Sequence, residues 1–384
     1  MVTGYRANFT KAKIARGFDS RMNRRITSSD IARAAGVSQT TVSFVLNDTE
    51  GTSISAETKA RVLKAAQALG YVPNSAAQTL VSGRSRTLGL VLAHGDLMSV
   101  DAFAAPLMFG MSRICNSRGY KLLIEAVEPG ARRDAYFDLT RSKSIDALIV
   151  LNSSQEDGGL VRLIDAKFPV IVFGSIGHPK ENSICPNSWK AAERAMAHLI
   201  SLGHRRIAHI AYAPARYVGA QQRVKAYRKS LARAGIAFDA KLLAYGDFSM
   251  ESGYRAMREI LARGKPPSAL FAGNDTIAAG ALAAIRESGL AVPSDIAVVG
   301  FDDLPIASYL DPPLTTVNTQ PIEQGEQAAL AALDLLEGKR VGHRDCDLSL
   351  ELIIRDSCGF SSRKPPRRTP AAARQKRGKR LLVG

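Results

Sequence analysis

A chain of 384 residues with 46% hydrophobic content is long enough for two or three domains with sizeable cores. No run approaches the roughly 18 apolar residues of a membrane span, and the polar N-terminus lacks the apolar centre of a secretory signal, so no membrane partner is expected. Cys115, Cys185, Cys346 and Cys358 are dispersed without CxxC spacing, which fits a reduced cytoplasmic protein with no structural metal. The net charge of +17 sits mostly in the tails: residues 1–25 carry +6 and residues 361–384 carry +9, leaving +2 for residues 26–360. Such tails are expected to be disordered and to attract polyphosphate without regard to sequence.

The first patterned stretch is DIARAAGVSQTTVSFVL, Asp30 to Leu46. Ser28 and Ser29 are N-cap candidates for a short helix that places Ile31, Ala32 and Ala35 on one face, and Gly36 stops it. Ser38 caps a second helix with an apolar stripe of Val42, Val45 and Leu46, leaving Gln39, Thr40, Ser43 and Phe44 outward. Two short helices joined by a tight turn are either an ordinary helical hairpin or a helix-turn-helix that offers the start of its second helix to the DNA major groove. Ser55 caps a third helix, with Val62, Leu63, Ala66 and Leu69 expected inward and Gly70 as its stop. A weak helix, SAAQTLVSGRS, and a Gly/Ser/Arg linker follow.

From Leu88 apolar strands alternate with amphipathic helices. LGLVLA, YKLLIEAV, DALIVL, PVIVFG, RRIAHIAY, KLLAYG, SALFAG and IAVVGFDD read as strands, with helical patterns after all but DALIVL and IAVVGFDD. About ten strand–helix units exceed one open sheet, so two doubly wound parallel-sheet lobes are expected, with a ligand site beyond the strand ends between them. No GxxxxGK[ST], GxSxG or HExxH stretch is present, and the six histidines do not cluster at ligand spacing. His204, in LGHRRI, reads as satisfying a turn. Asp302 and Asp303, paired at a strand end, could form a carboxylate dyad, but ligand hydrogen bonding is the better reading. No enzyme activity and no cofactor are expected.

The motifs together resemble the lactose-repressor family of bacterial transcription regulators. SDIARAAGVSQTTVSFVLN, SAETKARVLKAAQALGYVPN, LISLGHRRIAHI, GDFSMESGYRAM, PSALFAGNDTIAAGALAAIRESGLAVPSDIAVVGFDD and DPPLTTVNTQP carry the likeness, which spans roughly residues 26–360. The resemblance implies an α/β fold of two periplasmic-binding-protein-like lobes behind a small all-α headpiece. Its divisions are a basic extension (1–25), a helix-turn-helix headpiece (26–73), a hinge helix and linker (74–87), a two-lobed effector-binding and dimerisation domain (88–360) and a basic tail (361–384). It implies a homodimeric repressor on a pseudo-palindromic operator, controlled by a small effector.

By position Gln39, Thr40 and Phe44 match the family's groove readers, and Thr41 and Ser43 its phosphate or second-rank contacts. Ser38, Asn47 and Ala77 complete the implied DNA-binding set. Phe44 stands where Arg or His is common, so apolar contact with a thymine methyl replaces a bidentate guanine contact. Leu80 matches the hinge leucine that wedges into the minor groove, or it is plain core. Arg223 and Asp302 match the most general effector contacts, with Phe103, Phe248, Asn274 and Asp101 beside them. Phe248 reads equally as packed core, and Asn274 equally as a helix cap. Gly174-Ser175 and Pro186-Asn187 depart from a purine-type pocket, which leaves a sugar or sugar derivative as the expected effector. The alternatives are a nucleobase-type effector or a solute-binding protein. DPPLTTVNTQP resembles the family's return crossover and implies that the lobes are joined by three passes of the chain.

Overall fold

The computed structural model describes residues 26–47, 51–72, 79, 82–93, 98–127, 132–346 and 348–360. The chain divides into two compact units, residues 1–85 and 86–384. The basic segments 1–25 and 361–384, together with Ala77 and Leu80, lie outside the described residues.

The first unit holds three helices, α1 (Ser28–Ala35), α2 (Gln39–Leu46) and α3 (Ala56–Ala68). The cap of α1 is Thr27, one residue before the serines expected to cap it. Thr27 accepts from the Asp30 amide while the Asp30 carboxylate accepts from the Thr27 amide, a reciprocal box that Ser28 and Ser29 have no carboxylate placed to close. Gly36 ends α1 at φ 65°, a left-handed turn that turns the chain into α2. Ser38 caps α2 by accepting from the Thr41 amide at 3.0 Å. Ile31, Ala32, Ala35, Val42, Val45, Val62 and Ala66 form the small core. Leu63 and Leu69 are 53% and 37% exposed, against expectation. The inward stripe of α3 is set by Val62 and Ala66, four residues apart, and Tyr71 packs beside it, so Leu63 is rotated about 100° off that stripe.

The second unit begins with β1 (Thr87–Leu92) and contains two parallel sheets. The larger has the order β11-β5-β4-β3-β1-β2, where β2 is Lys121–Ala126, β3 Ala147–Leu151, β4 Val170–Phe173, β5 Asn182–Cys185 and β11 His343–Asp345. Its side chains alternate between two helical layers. Leu88, Leu90, Leu92, Ala147, Ile149 and Leu151 face α4 (Ala104–Ser117) and α11 (Pro321–Leu336). Val91, Leu148 and Val150 face the layer of α5 (Arg132–Arg141) and α6 (Gly158–Asp165). That two-sided burial explains why these strands read as continuous apolar runs.

The second lobe repeats the plan with the order β7-β6-β8-β9: β6 Ile207–Ala211, β7 Leu243–Tyr245, β8 Ala269–Ala272 and β9 Ala297–Val299. Ala208, Ile210, Leu270, Ala272 and Val298 pack on α9 (Met250–Ala262) and α10 (Asp275–Glu287). Ile207, Phe271 and Val299 pack on α7 (Ser188–Ser201) and α8 (Val218–Arg233). The remaining strands, β10 (Thr316–Asn318) and β12 (Glu351–Ile353), form an antiparallel ribbon.

The chain crosses between lobes three times: from β5 to α7, from β10 to α11, and from β11 to β12. The second pass returns α11 to the first lobe, where it crosses α4 at two glycines. A Cβ on Gly110 would stand 1.9 Å from the Ile322 carbonyl oxygen, and one on Gly325 2.1 Å from that of Leu107. Among the described residues no helix is long and apolar enough to cross a membrane.

Candidate functional site

The outward face of α2 carries the residues expected to meet DNA. Gln39, Thr40 and Phe44 are exposed, and Ser43 and Thr41 are half-buried. Two are held by neighbours: Gln39 Nε2 donates to Ser28 Oγ at 2.9 Å, and the Thr41 hydroxyl shares a 2.9 Å hydrogen bond with Ser38. Asn47, at the C-terminal end of α2, donates to Ser43 Oγ at 3.3 Å. The helix carries no charged side chain, so its face offers hydroxyls, one carboxamide and one aromatic ring. These are groups that read base edges and thymine methyls rather than bulk phosphate charge.

In the second unit the strand ends of both lobes converge on a cleft of roughly 920 Å³, part of it open to solvent. Parallel sheets place ligands beyond their carboxyl ends, and here the residues just past β3, β4, β6, β8 and β9 all line the space. Asn152, Phe248 and Asp302 reach it with φ of 58°, 72° and 110°, strained turns that aim side chains at the cleft.

Arg223, on the cleft face of α8, is 8% exposed. Its guanidinium packs over two rings, 4.3 Å from the centre of Tyr212 and 3.7 Å from that of Phe301, and it donates to the Gly273 carbonyl. Its other terminal nitrogen is 4.0 Å from Asp302. Burial pushes the Asp302 carboxyl well above the ordinary carboxylate range, against the pull of the Arg223 charge. Across the cleft, burial also raises Asp101, opposed by hydrogen bonds from Asn152 and the Phe103 amide and by the Arg223 charge. The cleft therefore offers one fixed cation, two carboxyls that resist ionisation, and aromatic walls. Such a set can hold hydroxyl groups while covering apolar faces.

All six effector candidates, Asp101, Phe103, Arg223, Phe248, Asn274 and Asp302, line this one space. Phe248 is 2% exposed and packs edge-on against Tyr212 and Tyr217, so it belongs to a small core and to the cleft wall at once. Asn274 caps α10 through the Ile277 amide at 2.7 Å and lines the cleft as well. The carboxylate dyad does not form. Asp303 pairs with Arg355 at 2.8 Å and accepts from Asn318, away from the cleft. His204 bonds Ser268 at a turn. Among the described residues no cluster of three or more His, Cys, Asp or Glu is placed to hold a metal.

Sequence reasoning missed Tyr212, Phe301, Asn152, Gln222 and Gln324, which also line the cleft. Tyr212, Phe301 and Asn152 end or directly follow strand-like runs, and that position was the one signal that could have found them.

A family profile described as bacterial regulatory proteins, lacI family, matches residues 27–74, and one described as a periplasmic binding protein-like domain matches residues 196–358. The chain is 34% identical over 339 residues to the HTH-type transcriptional regulator CelR of Thermobifida fusca, covering 87% of this chain and 98% of that protein. The chain belongs to the lacI family. Within that family the HTH-type transcriptional repressor PurR of Erwinia tasmaniensis is also 34% identical, over 86% of this chain and 96% of the repressor. Among solved structures, a CelR–cellobiose complex aligns with a TM-score of 0.67 at 31% identity, covering 87% of this chain and all of that one. The lac repressor dimer bound to operator and an anti-inducer aligns at 0.76 and 30% identity, covering 87% of this chain and 99% of that one. Membership makes the chain a DNA-binding transcriptional regulator, with a headpiece and a two-lobed unit.

Proposed function

We propose that the chain is a homodimeric repressor that reads a pseudo-palindromic operator with α2 of each headpiece, under the control of a carbohydrate held between the lobes. Gln39, Thr40 and Phe44 read base edges, and Ser38, Thr41, Ser43 and Asn47 orient the helix or reach phosphate. Ala77 and Leu80 belong to the segment assigned to the minor groove, with Leu80 as the wedge. Residues 1–25 and 361–384 add sequence-independent charge.

The observation that carries the reading is the convergence of Arg223 and Asp302, from distant parts of the chain, in an aromatic-walled cleft whose opposite side is Asp101. A regulator needs a second, ligand-sensitive site, and this geometry suits a polar molecule with hydroxyl groups. Gly174 and Ser175 line the cleft after β4 and bring neither a carboxylate nor a flat ring there for a nitrogen base. The CelR–cellobiose complex supports a saccharide. The site acts by binding alone, with no catalytic step, in keeping with relatives that are transcriptional regulators.

The test is a gel shift of DNA upstream of the gene and its neighbours, with and without a panel of saccharides and nucleobases. A specific shift that one saccharide strengthens or abolishes is expected. A response confined to nucleobases would replace the carbohydrate with that class, and the absence of any specific shift would overturn the repressor reading.

A further inference from the structure

Among the described side chains four buried polar atoms have no hydrogen-bond partner, and two of them, Gln324 Oε1 and Arg223 Nε, belong to residues lining the cleft. Gln324 is 1% exposed and sits in the first turn of α11, just after the second pass between lobes. Its Nε2 donates to the Thr319 carbonyl. A carbonyl can only accept, so the carboxamide cannot be turned over, and its oxygen is the atom left without a donor. A buried amide oxygen in that state destabilises the empty protein, and leucine at the same place would carry no such penalty. A residue kept for packing alone has no need of the oxygen, whereas one that meets a ligand donor does.

The charges of the cleft narrow what that ligand can be. Arg223 is the one cation among its described lining residues, against Asp101 and Asp302. The guanidinium packs over the rings of Tyr212 and Phe301, and one terminal nitrogen is committed to Gly273. A phosphate or carboxylate entering here would meet that one guanidinium, already partly committed to Gly273, with no second cation among the described lining residues to neutralise it.

We infer that the cleft selects an uncharged, hydroxyl-rich ligand, and that the carboxamide oxygen of Gln324 accepts a hydrogen bond from one of its hydroxyls. The inference rests on the reading of the cleft as an effector site.

Titration calorimetry on the full chain tests it, with neutral mono- and disaccharides, cellobiose among them, set against sugar 6-phosphates such as glucose 6-phosphate. The neutral saccharide that binds best is then titrated into Gln324→Leu and Gln324→Met, the second keeping the unbranched shape if leucine fails to fold. Affinity is expected to fall on the order of 10-fold or more, with the ligand-free melting temperature equal to that of the wild type or higher. Unchanged affinity in the variants would overturn the role of Gln324. So would a lowered melting temperature with affinity intact, which would mark the Thr319 bond as purely structural. Tighter binding of the phosphorylated sugar than of its neutral counterpart would overturn the charge selection. If the wild type binds no saccharide of either kind, the carbohydrate reading fails and carries this inference down with it.

Discussion

Asp302 shows how much one side chain depends on its setting. It is 3% exposed, lies 4.0 Å from Arg223, and stands within hydrogen-bonding range of the Thr319 hydroxyl at 3.4 Å. Replacing it with Asn keeps the size of the side chain and an oxygen for the Thr319 contact, but puts an NH2 group where the second carboxyl oxygen stands and so changes what that position can offer a ligand. Asp302→Asn is expected to weaken effector binding by about 10-fold, the order of one lost hydrogen bond in a buried site, while operator binding without ligand persists. Calorimetry and a gel shift on the same preparation check both halves; full effector affinity would remove Asp302 from the site. His209, at the middle of β6, gives a second residue-scale prediction. Its ring is fully buried, stacked on Phe271 at 4.7 Å and beside Tyr227 at 5.2 Å, and Nδ1 is 2.8 Å from the Phe271 carbonyl. Burial, with Arg223 nearby, lowers its pKa to about 4 from the ordinary 6.5, so the unfolded chain takes up the proton first. Stability from the neutral ring is complete above 6.5 and is lost as pH falls toward 4. At pH 5 the deficit is about 2 kcal/mol. Asp275 works in the opposite sense, since burial raises it to about 7 and its penalty is relieved as pH falls. The comparison must therefore be between proteins: His209→Phe should gain about 2 kcal/mol on the wild type between pH 7.5 and pH 5 in denaturant titrations. An unchanged gap would show that the imidazole is not kept neutral.

At the scale of elements, α4 and α11 meet backbone to backbone. Gly325 and Gly110 leave no room for a methyl group, because the nearest atoms are carbonyl oxygens that cannot move aside as a flexible side chain could. Gly325→Ala is expected to destabilise the second unit by about 2–3 kcal/mol or more. Gly158→Ala, at the open start of α6 where nothing lies within 4 Å, should stay within about 0.5 kcal/mol. Equal denaturation midpoints for the two variants would mean that the helix pair relaxes freely. The elements themselves were mostly legible in the sequence because their cause is local. Alternating burial between two helical layers gave β1, β3 and β6 their apolar runs, and Gly36 and Ser38 punctuate the helix pair within a few residues of the turns they make. Local pattern failed where a neighbour decides. Leu63 looked like core, but the packing of α3 on α1 and α2 selects Val62 and Ala66 and leaves Leu63 outside. The short β5 and α6 were passed over for the same reason: four and eight residues are too few to show a period without their partners.

For the whole molecule, the distribution of charge is the sequence feature with the widest reach. Residues 361–384 carry nine bases and no acid. Deleting them is expected to weaken binding to any duplex and to reduce the slope of log K against log salt by about 0.9 for each phosphate that the tail no longer neutralises. The ratio of operator to random-sequence affinity should hold, since Gln39, Thr40 and Phe44 are untouched. An identical salt slope, or an abolished operator preference, would refute that division of labour. What the sequence by itself determined was whatever depends on a few adjacent residues: the helix-turn-helix with its Gly36 turn and Ser38 cap, the strand–helix alternation, the absence of hydrolase and metal motifs, and the six effector candidates through their motifs. What only the tertiary structure decided was which distant residues meet. Asp101, Asn152, Arg223, Asp302 and Gln324 are drawn into one cleft by three passes between the lobes. The pairing of Asp303 with Arg355, which separates it from Asp302, spans 52 positions. Local periodicity reports which face of an element is buried, because burial recurs with the period of the backbone. It cannot report against what, since that depends on loop closures and sheet order whose energies are summed over the whole chain.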